Sequence, residues 1–500
     1  MNRWKTVCRM VLIWVLTIVL ASIPPQVPLA GWREAAAEEE GTSPVGTGEA
    51  LLEIEGTEPF YLDVLEKWNQ EGVPLATHPV QIRGSELTNQ SDNAEIRIGT
   101  YAGRNDVLIW TNNRSSWIEF TVDVPATGLY EMALTYHAYN DDSRVYRSYR
   151  PTMLALSVDG QFPFREARAM PFTRWFQDER PFKFDELGNH IRPRPVELEQ
   201  WFEKPFEDAE SSYAEPFLWK LERGTHTIRI QSFLPIVIDS LELRPPRQIP
   251  TYAEYKAALG NVPAIEAEVA LVEAEEVAAK NDVAIQVAVD QDAFMTPDAN
   301  NKTIFNAVGG TRWQNGGGTV SWTFSVPETG LYKIGMRVYQ GYQSSKKVFR
   351  KIYLDGQIPF AEMKAYPFTY STGWQGIVLS DEAGNPYEFY LEAGEHTLTL
   401  EATYAPYQPV LVKLETVLFA LRALSQDIHA ITGEVDDPNR TWKIEQNFPE
   451  LIEQLDAIYA DMQEMRSMLL EVNGRVDTNS QTLSTAIKDL EDIRKYPNDI

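Results

Sequence analysis

Aromatic residues flanked by amides are the side chains here whose types could do chemistry. One set is Trp313, Asn315, Tyr339, Tyr342 and Trp374, and another is Trp110, Asn112, Asn113, Tyr139 and Trp175. An aromatic face stacks on the apolar face of a pyranose ring, while amides and carboxylates beside it hydrogen-bond the hydroxyls. Trp313 and Trp110 stand near Gly- and Asn-rich stretches, so the expectation places them on binding loops. Trp117 and Trp322 sit inside alternating segments and read as packing. Asp-Glu-x-Gly-Asn occurs at Asp185 and again at Asp381, and reads as a solvated turn.

Signals for catalysis are sparse. The six histidines are His78, His137, His190, His226, His396 and His429, and none makes a metal-ligand spacing. A Gly-rich phosphate loop and a G-x-S-x-G elbow are both missing. With 72 acidic residues some carboxylate pair always exists, so a β-sandwich glycosidase or lyase stays open as an alternative. A net charge of −27 argues against nucleic acid and against an anionic membrane surface.

The elements that must position these residues follow from an internal repeat. The segment Trp117–Tyr130, with its Pro125-Ala-Thr-Gly128 turn, recurs 202 residues later with Pro327-Glu-Thr-Gly330. Val158-Asp159-Gly160-Gln161, Pro171-Phe172-Thr173 and the Asp185 motif recur 196 residues later, and Leu221-Glu-Arg-Gly224 recurs 170 later. Five matches in order indicate duplication, with about 26 extra residues expected between Asn189 and Leu221 of the first copy. Each copy reads as antiparallel β: Trp117–Val124 and Thr319–Val326 alternate, and Asp-Gly pairs mark tight hairpins. Short amphipathic helices are expected at Thr57–Gln70 and Tyr252–Leu259. After Tyr407 the period becomes helical. Leu451, Leu455, Ile458, Met462, Met465, Leu469 and Val472 form a heptad-like seam of coiled-coil type. The fold expected is mainly β with an α C-terminus: two antiparallel jelly-roll-like β-sandwiches, then a helical bundle or hairpin.

Arg3, Lys5 and Arg9 precede the apolar run Met10–Ile23, which reads as a secretory signal cleaved after Ala37. An extracellular or cell-surface location, with no membrane span after cleavage, is therefore expected. Cys8 is the only cysteine, so the mature chain would hold no disulfide or thiolate site. The division expected is a signal at 1–37, a linker with a short helix at 38–80, module 1 at 81–245, a linker at 246–265, module 2 at 266–407 and a helical segment at 408–500.

The repeat resembles carbohydrate-binding modules of families 6 and 35. The resemblance rests on Val272-Glu273-Ala274-Glu275, Val326-Pro-Glu-Thr-Gly330-Leu-Tyr332, Leu354-Asp355-Gly356, Ser371-Thr-Gly-Trp374 and Leu391-Glu-Ala-Gly394-Glu-His-Thr-Leu398. The whole layout, with Thr432-Gly433…Asp437-Pro438-Asn439-Arg440-Thr-Trp442, resembles the N-terminal half of long extracellular solute-binding proteins of sugar ABC transporters in Paenibacillus-like bacteria. The resemblance implies a non-catalytic binder of poly- or oligosaccharide, partnered by a sugar ABC transporter or a solute-binding domain. It also implies a structural calcium, for which Glu273, Glu275 and Asp239 are the candidate ligands, although neither copy keeps a full set. Lys413 stands where module 1 has Asp239, and the helical period after Tyr407 implies that module 2 lacks the last strand of module 1. A structural reading is the other alternative, in which the sandwiches are spacers and the helices dock a partner.

Overall fold

A computed structural model describes residues 58–112, 114–140, 149–266, 270–432 and 444–496. The leader with its cleavage point, Asn113, and residues 433–442 of the Thr-Gly…Trp loop lie outside the described residues.

Alternation sets the strands. In Ser116–Val124 the side chains of Ile118, Phe120, Val122 and Val124 are buried and those between them point outward. Module 1 packs two antiparallel sheets. In one, strand Ile236–Arg244 lies between Gly128–Ala138 on one side and Val80–Arg83 and Arg104–Trp110 on the other. The second sheet runs Asn89–Gln90, Ser116–Val124, Gly224–Ser232, Thr152–Val158, Met170–Phe172. Phe120, Tyr130, Tyr136, Leu156 and Trp219 fill the space between them.

Both hairpins expected at Asp-Gly form. Asp159 and Gly160 have φ of 50° and 79°, Asp355 and Gly356 of 50° and 74°, the left-handed pair that a two-residue turn needs. A histidine braces each turn. His226 Nδ1 lies 2.7 Å from Asp159 Oδ2 and its Nε2 2.8 Å from the Glu222 carbonyl. His396 repeats this on Asp355 and Glu392, at 2.7 Å each.

Module 2 is built on the sheet Ala279–Lys280, Thr319–Val326, Gly394–Thr403, Lys347–Leu354, Tyr366–Thr369. This sheet does not end at the module boundary. Strands Phe176–Asp178 and Pro195–Glu197 of module 1 extend it, with Phe176 facing Lys280. Lys280 is 1% exposed; its Nζ donates to Asp178 at 2.8 and 3.0 Å and to the Ile285 carbonyl at 2.7 Å. The two sandwiches are thus stitched by a buried ion pair and a shared sheet.

These strands belong to the extra residues of module 1, and their position corrects the expected mapping. Phe202 faces Tyr136 and Gln375 faces Val338, residues 202 apart, so Phe202–Pro205 and Gln375–Val378 hold equivalent places. Most of the insertion therefore lies between Phe172 and Phe202. The Asp185 and Asp381 turns are alike locally but occupy different places in their sandwiches. Sequence matching paired them because both use one Asp to accept from the Asn four residues on.

Six helices complete the described chain. Helix α1 spans Tyr61–Gln70, with Phe60 at its N-cap (the expected start at Thr57 lies outside the described residues), and α2 spans Tyr252–Leu259. Helices α3 Gln408–Thr432, α4 Ile444–Asn447, α5 Leu451–Asn473 and α6 Thr478–Lys495 form the C-terminal bundle. The seam of α5 is buried from Leu451 through Leu469, but it ends on Asn473, with Val472 only half-buried. Asn473 is recruited because its Oδ1 accepts from the Lys347 backbone at 3.1 Å and from the Tyr407 hydroxyl at 2.7 Å. Those bonds dock the bundle onto module 2. Among the described residues no helix is long and apolar enough to cross a membrane.

Candidate functional site

Module 2 gathers four of its five expected ligand residues around one cavity of about 2290 Å³. Trp313, Tyr339, Tyr342 and Trp374 line it; Asn315 does not. Tyr339 leaves the end of strand Gly335–Val338, and Trp374 immediately precedes its partner strand Gln375–Val378, so pairing brings the two rings together. The Tyr339 centroid is 5.7 Å from Trp374 and 6.0 Å from Tyr342. Tyr339 and Tyr342 are 37% and 58% exposed, which leaves ring surface for a ligand. The Trp374 indole N–H and the Ser371 hydroxyl are shielded from solvent and have no hydrogen-bond partner among the described residues. A buried unpaired donor costs about 1–3 kcal/mol, so such groups mark a place where a further partner is favoured.

Trp313 is engaged elsewhere. Its Nε1 donates to the Gly318 carbonyl at 2.8 Å, and the Arg350 guanidinium lies 4.7 Å above its ring. Burial pushes the Arg350 guanidinium down to about 10. One face of Trp313 is therefore covered by a cation. No motif flagged Arg350, because it is an unremarkable strand residue in sequence. Trp322 is buried and donates to the Ala274 carbonyl, as its alternation implied.

Module 1 treats its candidates differently. Trp110 is fully buried and donates to Ser116 Oγ at 2.9 Å, so it is a core residue and the loop expectation is corrected. The Asn112-Asn113 pair after it does not place Trp110 on a loop, because Trp110 is the last residue of a central strand. Asn112 is likewise spent on its own loop, donating to the Asn93 carbonyl at 2.5 Å and accepting from the Glu95 N–H. Trp175 stacks on Phe202 at 5.7 Å. Tyr139 stacks on Tyr101 at 6.0 Å, within a patch that includes Trp201. Trp175 and Tyr139 are thus both engaged by other rings of module 1.

The three expected calcium ligands do not come together. Asp239 forms an ion pair with Arg104. Glu273 accepts from the Thr296 hydroxyl at 3.2 Å, and Glu275 is buried, its Oε2 without a partner among the described residues. Burial, with Glu273 and Glu276 adding repulsion, raises the Glu275 carboxyl to about 7. Among the described residues no group of three or more His, Cys, Asp or Glu side chains could hold a metal ion. Lys413 binds Asp461 and Glu464 of the bundle, a packing role in α3.

Comparison with known proteins bears on two parts of the chain. Residues 409–500 match the family described as bacterial solute-binding protein, 4-helix bundle domain. No curated protein matches the chain. Among solved structures, the chain is similar to a Podospora anserina GH26-CBM35 β-(1,4)-mannanase (15% identity, TM-score 0.20), covering 35% of this chain and 29% of that one. It is similar to a family 35 carbohydrate-binding module from Clostridium thermocellum at 15% identity and TM-score 0.19, covering 33% and 98%. A family 35 module from Paenibacillus barcinonensis gives 13% and 0.19, covering 32% and 95%. The chain spans under a third of the length of the mannanase it matches.

Proposed function

We propose that this protein is a non-catalytic carbohydrate binder, and that module 2 holds an oligo- or polysaccharide against Tyr339, Tyr342 and Trp374. The observation that carries this is the aromatic shelf itself. Three rings, with neighbouring centroids 5.7–6.0 Å apart, stand at the cavity, and the Trp374 indole N–H is shielded from solvent with no hydrogen-bond partner among the described residues. Rings of this exposure stack on pyranose faces, and flanking polar groups select hydroxyls. The match of residues 409–500 to a solute-binding-protein helical domain supports placing that binder outside the cell beside a sugar ABC importer. The basic, then apolar, leader supports export through a cleaved signal peptide.

The test is a glycan array on the secreted protein, with and without calcium, repeated with Tyr339→Ala and Trp374→Ala. Loss of one shelf ring should cost about 2 kcal/mol, roughly thirtyfold in Kd. Binding that both changes leave intact moves the site off the shelf. Failure of the folded protein to bind any glycan removes the reading, and turnover of a polysaccharide replaces it with an enzyme.

A further inference from the structure

Module 2 is short of one strand. In module 1, Ile236–Arg244 lies along the edge Glu131–Ala138, from Ile236 opposite Ala138 to Arg244 opposite Glu131. The equivalent edge of module 2, 202 residues on, is Lys333–Gln340. Among the described residues, Gly335–Val338 pairs only with Gln375–Val378, on its other side. The chain cannot fill the gap from its C-terminal side, because after Gly394–Thr403 it turns through Ala405–Tyr407 into α3.

Exposure shows the gap directly. Glu131, Ala133 and His137 are 5%, 1% and 2% exposed, whereas their counterparts Lys333, Gly335 and Tyr339 are all exposed. On the inner face Met132, Leu134 and Tyr136 are buried, but Ile334, Met336 and Val338 are only half-buried and line the cavity. Leu271 and Val272, just ahead of the acidic pair, also line the cavity and are 76% and 37% exposed. A slot with an apolar floor and an unpaired backbone edge is the geometry of strand addition.

The chain carries a second segment with the sequence pattern of that last strand. Helices α1 and α2 are the same element of two repeats. The Pro59 carbonyl accepts from Arg165 as the Pro250 carbonyl accepts from Ala361, and Glu166 and Glu362 each accept from the first helical N–H. Shortly before Pro250 lies Leu241-Glu242-Leu243-Arg244, the end of module 1's last strand; shortly before Pro59 lies Leu52-Glu53-Ile54-Glu55. The alternation is the same and the terminal charge is reversed. Arg244 pairs with Glu131 at 2.7 Å in module 1. In module 2 the position of Glu131 is Lys333, which Glu55 in the place of Arg244 would meet. Glu58 itself lines the cavity, and three residues of extended chain reach about 10 Å.

We propose that residues 50–56 of this chain add to the Lys333–Val338 part of the open edge as the missing strand of module 2, with Leu52 and Ile54 on its apolar floor and Glu55 against Lys333. The chain then has two last-strand segments for two sandwiches, and the N-terminal one closes the C-terminal module. This holds whether or not the aromatic shelf binds sugar.

Amide hydrogen exchange on the full chain tests it. Peptides covering 50–56 and 333–340 should both be protected. The double change Leu52→Asp/Ile54→Asp should speed exchange over 333–340 at least about tenfold and leave 131–138 unchanged, which also shows that the fold survives. Lys333→Glu should weaken the protection, and Lys333→Glu with Glu55→Lys should restore it. Exchange over 333–340 that is fast in the parent, or unmoved by Leu52→Asp/Ile54→Asp, overturns the proposal. Protection that rises with protein concentration overturns it in favour of a second copy as the donor.

Discussion

Replacing Lys280 with methionine should unfasten the two sandwiches. The ammonium is 1% exposed and gives all three of its hydrogen bonds to Asp178 and to the Ile285 carbonyl. Lys280→Met keeps the volume of the stem but leaves Asp178, itself 5% exposed, as a buried carboxylate without its counter-ion. Breaking one side of a buried pair costs about 3–5 kcal/mol, whereas replacing both sides by apolar residues is often neutral. Lys280→Met alone should therefore cost at least about 3 kcal/mol, and Asp178→Leu with Lys280→Met should recover most of it. The chain has several cores, so one unfolding midpoint does not report this local event. Hydrogen exchange over 176–178 and 279–280 does, and 3 kcal/mol corresponds to a rise of about a hundredfold in rate. A rise under about fivefold for Lys280→Met, or a double change as costly as the two singles together, would refute the assignment of the module joint to this pair.

Further outcomes follow from other contacts. A methyl group on Gly316 would stand 1.8 Å from the Glu210 carbonyl, so Gly316→Ala should force the two modules apart locally and expose the Tyr404–Ser211 backbone contact to faster exchange. Glu275 is raised to about 7 by burial and by Glu273 and Glu276, so its protonated form is favoured in the fold and stability falls as pH rises from its unfolded range near 4.5 through 7. Glu275→Gln should remove that loss, raising the thermal midpoint at pH 8 but not at pH 4. Burial lowers His396, yet the Glu392 carbonyl and the Asp355 carboxylate outweigh it, so its folded pKa is raised. Its contribution is then full below its unfolded pKa near 6.5 and is lost as pH rises through the folded value, a slope that His396→Gln should flatten in thermal melts. Asn473→Ala removes the acceptor for Lys347 and Tyr407, and should loosen the bundle from module 2 by about 1–3 kcal/mol, read by exchange at Lys347.

The sequence by itself determined the duplication, the strand alternation and the change of period after Tyr407, because side-chain periodicity and turn chemistry are local properties. It also implied that the segment after Tyr407 does not supply a last strand to module 2, and Gln408–Thr432 is helix. Tertiary structure alone decided which aromatics are buried. Trp110 and Trp313 have similar neighbours in sequence, yet a completed sheet buries Trp110 while Trp313 lies half-buried under Arg350 in a sandwich left open. Nor could repeat matching show that the insertion of module 1 extends the sheet of module 2. That joint rests on pairing Phe176 with Lys280, residues more than a hundred apart, and such pairing is set by which edge is free when the two modules meet.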